Sequence, residues 1–145
     1  MIDRKNITYL NLQPLRIPPH WTMELNKLED IDPETLAPED ETWLFAFNED
    51  ILYLESKITR ERNKQTEEQK LTVDLGWYPD GDPNGNFVLQ AILNDDWLDP
   101  LMKFSSRSKD EVVKTLEKWL WKDFMPISFI DGEYFHEKHK IKIKP

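Results

Sequence analysis

The residues of this chain best placed to do chemistry are carboxylates set among turn formers and aromatics. Asp80-Gly81-Asp82-Pro83-Asn84-Gly85 reads as D-x-D-x-N-G, the opening of a calcium-binding loop. Such a loop closes on a bidentate Glu at its twelfth position and lies between helices. Here the twelfth residue is Ala91, inside an alternating apolar run, and Pro83 disturbs the loop path. The stretch therefore reads as a hairpin turn, in which Asp, Asn, Gly and Pro supply φ control and local hydrogen bonds. His136 and His139, with Glu133 and Glu137, could share a helix face as metal ligands. A structural zinc site needs a full tetrahedral set, usually with Cys or more His. The chain has no Cys and only one other His, His20 between Pro19 and Trp21. The pair reads as part of a solvated tail and His20 as a packing or surface residue. No metal and no cofactor is expected.

Nucleophilic catalysis finds no support either. There is no G-x-S-x-G elbow, and Ser105, Ser106 and Ser108 suit a strand exit and a helix cap. With 4 Gly in all, no phosphate-cradling loop can be assembled. The expectation is a protein without enzymatic activity.

The placement of charge is more informative. Glu24 to Glu55 holds 11 carboxylates and one Lys, and Leu71 to Pro100 holds 6 Asp and no base. All other segments are mildly basic, so these blocks carry the whole net charge of −9. Clustered negative charge repels phosphate and anionic lipid and attracts a basic partner. Direct nucleic-acid binding, which needs clustered Lys and Arg, is not expected. Apolar runs are far too short to span a membrane. The beginning Met1-Ile2-Asp3-Arg4-Lys5-Asn6 lacks the apolar stretch of a signal peptide. Absence of Cys fits a reducing compartment. A cytoplasmic protein is expected.

The elements that must position these residues are legible in part. At 145 residues, 39 % of them apolar, the chain suits a single α+β domain spanning 1–145. Ile7 to Leu12 and Trp21 to Asn26 alternate as strands do. Asp30 to Thr42 reads as an acidic loop, with a short helical turn at Pro33-Glu34-Thr35 capped by Asp32. Trp43 to Phe47 reads as a β-rich run, Asn48-Glu49-Asp50 as a tight turn and Ile51 to Leu54 as the returning strand. The polar stretch 56–70 reads as a charged surface loop, either a hairpin tip or a solvated extension of the flanking strands.

Val73, Leu75 and Trp77 alternate with Asp74, Gly76 and Tyr78. Phe87 to Leu93 is apolar on both faces, as befits an interior strand. Asn94-Asp95-Asp96 is a further turn, and Leu101 to Phe104 a further strand. Ser108 and Glu111 form a capping box for a helix from about 109 to 122, with Val112, Val113, Leu116, Trp119 and Leu120 along its apolar stripe. That helix should pack on one face of a mainly antiparallel sheet, with N-terminal strands curled over the other. Trp119 and Trp43 are assigned to the core, and Trp121 to partial exposure. Pro126 to Ile130 reads as a strand, and 132–145 as a basic tail or an edge strand.

Leu71 to Tyr78, the Asp80–Gly85 turn, Phe87 to Leu93, Asp95-Asp96-Trp97 and Ser105 to Leu120 together resemble the cytoplasmic immunity proteins of bacterial polymorphic toxin systems, including contact-dependent inhibition systems. The resemblance implies a protein that binds a cognate toxin domain, often a basic nuclease, and blocks its active site or substrate groove. On this expectation Glu39, Asp40, Glu41, Glu49, Asp50, Asp80, Asp82, Asp95, Asp96 and Asp99 meet Lys and Arg of the partner. Tyr78 and Trp97 supply the apolar anchors. All of them would have to gather into one acidic face. The alternative expectation is a small adaptor or regulatory subunit that recognises its partner by strand addition along Trp43–Leu54.

Overall fold

The computed structural model describes residues 11–62, 65–124, 128–130 and 133–135. Alternation of apolar and polar residues builds a five-stranded sheet in the order β1-β2-β3-β4-β5. Its strands are β1 (Thr22–Asn26), β2 (Leu52–Arg62), β3 (Gln65–Tyr78), β4 (Asn86–Leu93) and β5 (Met102–Ser106). Every neighbouring pair is antiparallel. A helix crosses one face, so the chain is an α+β domain.

The register explains which face the core takes. Leu52 pairs with Leu75, Leu75 with Leu89, and Leu89 with Phe104. The same face therefore carries Leu54, Val73, Trp77, Phe87 and Ala91, all buried. Against it pack Val112, Leu116, Trp119, Leu120 and Phe124 together with Trp21, Trp43 and Phe47. Each such side chain contributes about 1.5–3 kcal/mol by leaving water. The opposite face carries the row Tyr53, Asp74, Gln90 and Lys103. β1 does not curl over that face, as expected from sequence; it pairs with β2 as the edge of the same sheet. The Ile7–Leu12 strand lies outside the described residues except at its end, where Leu12 bridges Glu29.

Of the two readings of 56–70, the extension of the flanking strands is the one the structure takes, in place of a surface loop. β2 and β3 continue in unbroken register from Leu52↔Leu75 to Arg62↔Gln65. The residues of this stretch are polar and charged apart from Ile58, so no apolar alternation marks it as a strand. Its pairing is inherited from the buried residues below it.

Trp43 to Phe47 is not a strand. Thr42–Ala46 forms a short helix, α1. The Asp40 carboxylate accepts the Thr42 N–H at 2.8 Å, and the Trp43 indole N–H donates to the Ala37 carbonyl at 2.9 Å. Trp43, Ala46 and Phe47, spaced i, i+3, i+4, are buried; Leu44 and Phe45 face water. The chain then rejoins the sheet, where the Trp77 N–H donates to the Asn48 carbonyl and the Ile51 N–H to that of Leu75. Leu52 to Leu54 thus lies between β1 and β3. The hairpin expected over 43–54 does not exist, and this segment offers no free edge for strand addition.

The long helix α2 covers Lys109–Lys118 and widens into a π turn over Trp119–Asp123. The Phe124 N–H closes that turn on the Trp119 carbonyl at 2.8 Å. Widening places Trp119, Leu120 and Phe124 in the core and leaves Trp121 and Lys122 outside. At the N-terminus Ser108 Oγ accepts the Glu111 N–H at 3.2 Å, as the capping box requires. The return half of the box differs. Ser106 Oγ accepts the Ser108 N–H at 3.0 Å and donates to Glu111 Oε2 at 2.7 Å, standing between the two. Lys109, itself buried, ties the helix start to Asp30 and to Gln13.

Past the helix, β6 (Ser128–Ile130) and β7 (Glu133–Phe135) pair with each other, and β7 lies against β2. The strand expected over Pro126–Ile130 is present from Ser128. Of the tail 132–145 only β7 is described; His136, His139 and the residues after them lie outside the described residues.

Candidate functional site

The end of the sheet where β3 turns into β4 is organised around Trp77. Its ring meets Phe47 and Phe87 edge-on, each at 4.9 Å, and Trp43 at 5.5 Å. Its indole N–H donates to the Asp82 carbonyl at 2.8 Å. The Arg107 guanidinium lies over the ring at 5.4 Å, donates to the Gly85 carbonyl and pairs with Glu34 at 2.8 Å. Within the turn, Asp82 Oδ1 accepts the Asn84 N–H at 2.8 Å. Gly81, at φ 69°, donates its N–H to the Phe47 carbonyl at 2.7 Å. A side chain there would press on Leu44. The turn and α1 are therefore one unit, and the D-x-D-x-N-G resemblance is explained by turn geometry.

This unit presents apolar surface to water. Leu44 is 68 % exposed, Phe45 43 % and Tyr78 37 %. Carboxylates surround the tyrosine. Burial raises the Tyr78 phenol above its usual range, and Asp74, Glu49, Asp50 and Asp80 raise it further. Segment 48–50 reaches this position because residue 76 is glycine: a Cβ there would collide with the Glu49 carbonyl. Asp74 stands half-buried on the polar face, and burial, aided by the charge of Asp50, pushes its carboxyl up to about 6.

The acidic residues expected to bind a partner divide into groups. Glu49, Asp50, Asp80 and Tyr78 come together. Glu39, Asp40 and Glu41 lead into α1 beside them, but the Asp40 carboxylate is held below its usual range by the backbone N–H of Thr42, followed by the Thr42 side chain. Asp40 and Asp82 thus shape the backbone through their carboxylates.

Asp95, Asp96, Trp97 and Asp99 lie elsewhere. They occupy the β4–β5 turn, level with Lys70 and Leu71, whereas Tyr78 marks the other end of β3. At a strand rise of ~3.3 Å per residue the two turns are about 23 Å apart. The acidic residues expected to share one face are thus divided between the two ends of β3, because a strand delivers successive turns to opposite ends of a sheet. Asp95 is further occupied by Lys70, which it contacts at 2.7 Å while Glu55 holds the same ammonium at 3.3 Å.

Sequence reasoning missed Leu44, Phe45 and Asp74. The first two were hidden by the strand assignment, which predicts Phe45 to share a face with Trp43. Asp74 had a signal: a carboxylate in the alternation of a strand flanked on both sides loses solvent.

Compared with family models, curated proteins and solved structures, the chain matches none. Among the described residues no cluster of His, Asp and Glu could hold a metal ion, and no helix is long and apolar enough to cross a membrane. The fold and site define an α+β domain with exposed apolar residues at the end of the sheet where carboxylates act on Tyr78.

Proposed function

We propose that this chain is a non-enzymatic binding protein, an immunity or inhibitor protein that neutralises a cognate toxin domain in the bacterial cytoplasm. The reading rests on one observation: at the β3–β4 end of the sheet Leu44 and Phe45 of α1 and Tyr78 of β3 stand exposed, and Asp74, Glu49, Asp50 and Asp80 act on the tyrosine. Apolar anchors inside a ring of charge are the arrangement in which a few residues carry most of a protein–protein affinity. The sign of the ring selects a partner rich in Lys and Arg. A nuclease domain has such a surface because it must hold phosphate, and occupying that surface excludes its substrate. The carboxylates also steer the encounter.

The test is co-expression with the product of the reading frame next to this gene, followed by calorimetric titration of the purified pair. The wild-type chain protects cells and binds tightly. Leu44→Asp with Phe45→Asp abolishes both, whereas Asp96→Lys at the far turn leaves both unchanged. Equal binding by the Leu44/Phe45 variant would overturn the assignment of the site.

A further inference from the structure

The outer side of α2 carries a second surface of opposite character. A groove of about 500 Å³ runs between α2 and the strap around Arg16, lined by Arg16, Lys114, Lys118, Lys122, Trp121 and Glu117. Its floor is fixed. The Trp121 indole N–H donates to the Arg16 carbonyl at 2.7 Å, and the Arg16 N–H donates to Glu117 Oε2 at 2.8 Å. The Arg16 guanidinium lies 5.8 Å from the indole centre, and Trp121 remains 40 % exposed. Lys114 and Lys118 lie a helical turn apart and Lys122 follows on the π turn, and among the described residues no carboxylate pairs with them. On a chain of net charge −9 this is a local basic, aromatic slot.

The β4–β5 turn has the complementary character. Asn94 and Asp95 hold positive φ, the Asp96 N–H closes on the Leu93 carbonyl at 3.0 Å, and Lys70 clamps Asp95. Beyond that brace Asp96, Trp97, Leu98 and Asp99 project into water, with Leu98 98 % exposed.

We propose that this groove receives the Asp96–Asp99 turn of a second copy of the chain. Charge selects the occupant. An extended polyanion, whether nucleic acid or an anionic bilayer, would meet the acidic remainder of the molecule. A compact acidic knob with apolar tips meets only the slot, where Leu98 and Trp97 cover the Trp121 indole and Asp96 meets the lysines. The contact joins unlike patches, and a two-fold arrangement seats both turns in both grooves and closes the assembly. It leaves α1 and the β3–β4 turn free, so it stands or falls independently of the toxin-binding reading.

Sedimentation velocity of the full chain over a concentration series tests it. The expected result is a monomer–dimer equilibrium that Leu98→Ser, and separately Lys118→Glu with Lys122→Glu, each weaken at least ~10-fold. All these side chains are on the surface, and circular dichroism checks that the variants fold. A chain that stays monomeric at every concentration, or a dimer indifferent to both variants, would overturn the proposal. Titration with ATP, read by Trp121 fluorescence against a Trp121→Phe control, is the competing arm. Saturable quenching of a monomeric chain would give the groove to a small anion instead.

Discussion

Asp74 is the residue whose chemistry depends most on its surroundings. Its carboxyl titrates near 6 in the folded chain against 3.8 ordinarily, because burial disfavours the charge and Asp50 adds repulsion. The folded state therefore holds this proton more tightly than the unfolded one. The resulting stabilisation is present below 3.8 and is lost as the pH rises through about 6. Asp74→Asn should raise the urea midpoint at neutral pH and flatten its pH dependence between those two values. A midpoint that still falls over that range in the variant would assign the effect to another group. If the site takes a basic partner, docking favours the carboxylate. Binding then releases a proton near pH 6, which calorimetry in buffers of different ionisation enthalpy reads directly. Gly76 is the other single-residue constraint. Gly76→Ala drives a methyl into the Glu49 carbonyl and should cost about 1–3 kcal/mol in denaturant unfolding, with a wild-type midpoint as the contrary result.

At the scale of elements, α2 begins through a relay. Ser106 Oγ serves both the Ser108 N–H and the Glu111 carboxylate, while Ser108 Oγ serves the Glu111 N–H. Ser108→Ala should destabilise by about 1 kcal/mol, as removal of an N-cap does. Ser106→Ala should cost a comparable amount although it lies in β5, and the double variant should cost less than the sum, since the relay fails as a unit. Strict additivity would mean that the bonds act separately. The cap was legible in Ser108-Lys109-Asp110-Glu111, because capping uses neighbours a turn apart. Its dependence on Ser106 was not, because the angle at which β5 delivers the chain to the helix is a tertiary matter. α1 is the converse case. Five apolar residues suit a strand or a helical turn equally, and what decides is that Trp77 and the core require Trp43, Ala46 and Phe47 on one side.

For the whole molecule, the decisive fact is that its acidic turns lie at opposite ends of the sheet. Steering of a basic partner should therefore depend on one end. Glu49→Lys with Asp80→Lys should slow association by ~10-fold or more at low salt. Asp96→Lys with Asp99→Lys should change it little. Stopped-flow association of the purified pair distinguishes the ends, and an equal slowing by both variants would mean that the molecule acts as a diffuse charge.

The sequence by itself determined the α+β class, the alternation of β3 and β4, the stripe and cap of α2, the turn chemistry of 79–86 and the excess of carboxylates. Each of these is written in the spacing of near neighbours, and local backbone preference with burial on one face suffices to read it. Only the tertiary structure decided which carboxylates meet, that α1 is a helix exposing Leu44 and Phe45, and which of the two readings of 56–70 holds. Those outcomes depend on strand length, register and packing partners far away in the chain, and no local pattern encodes them.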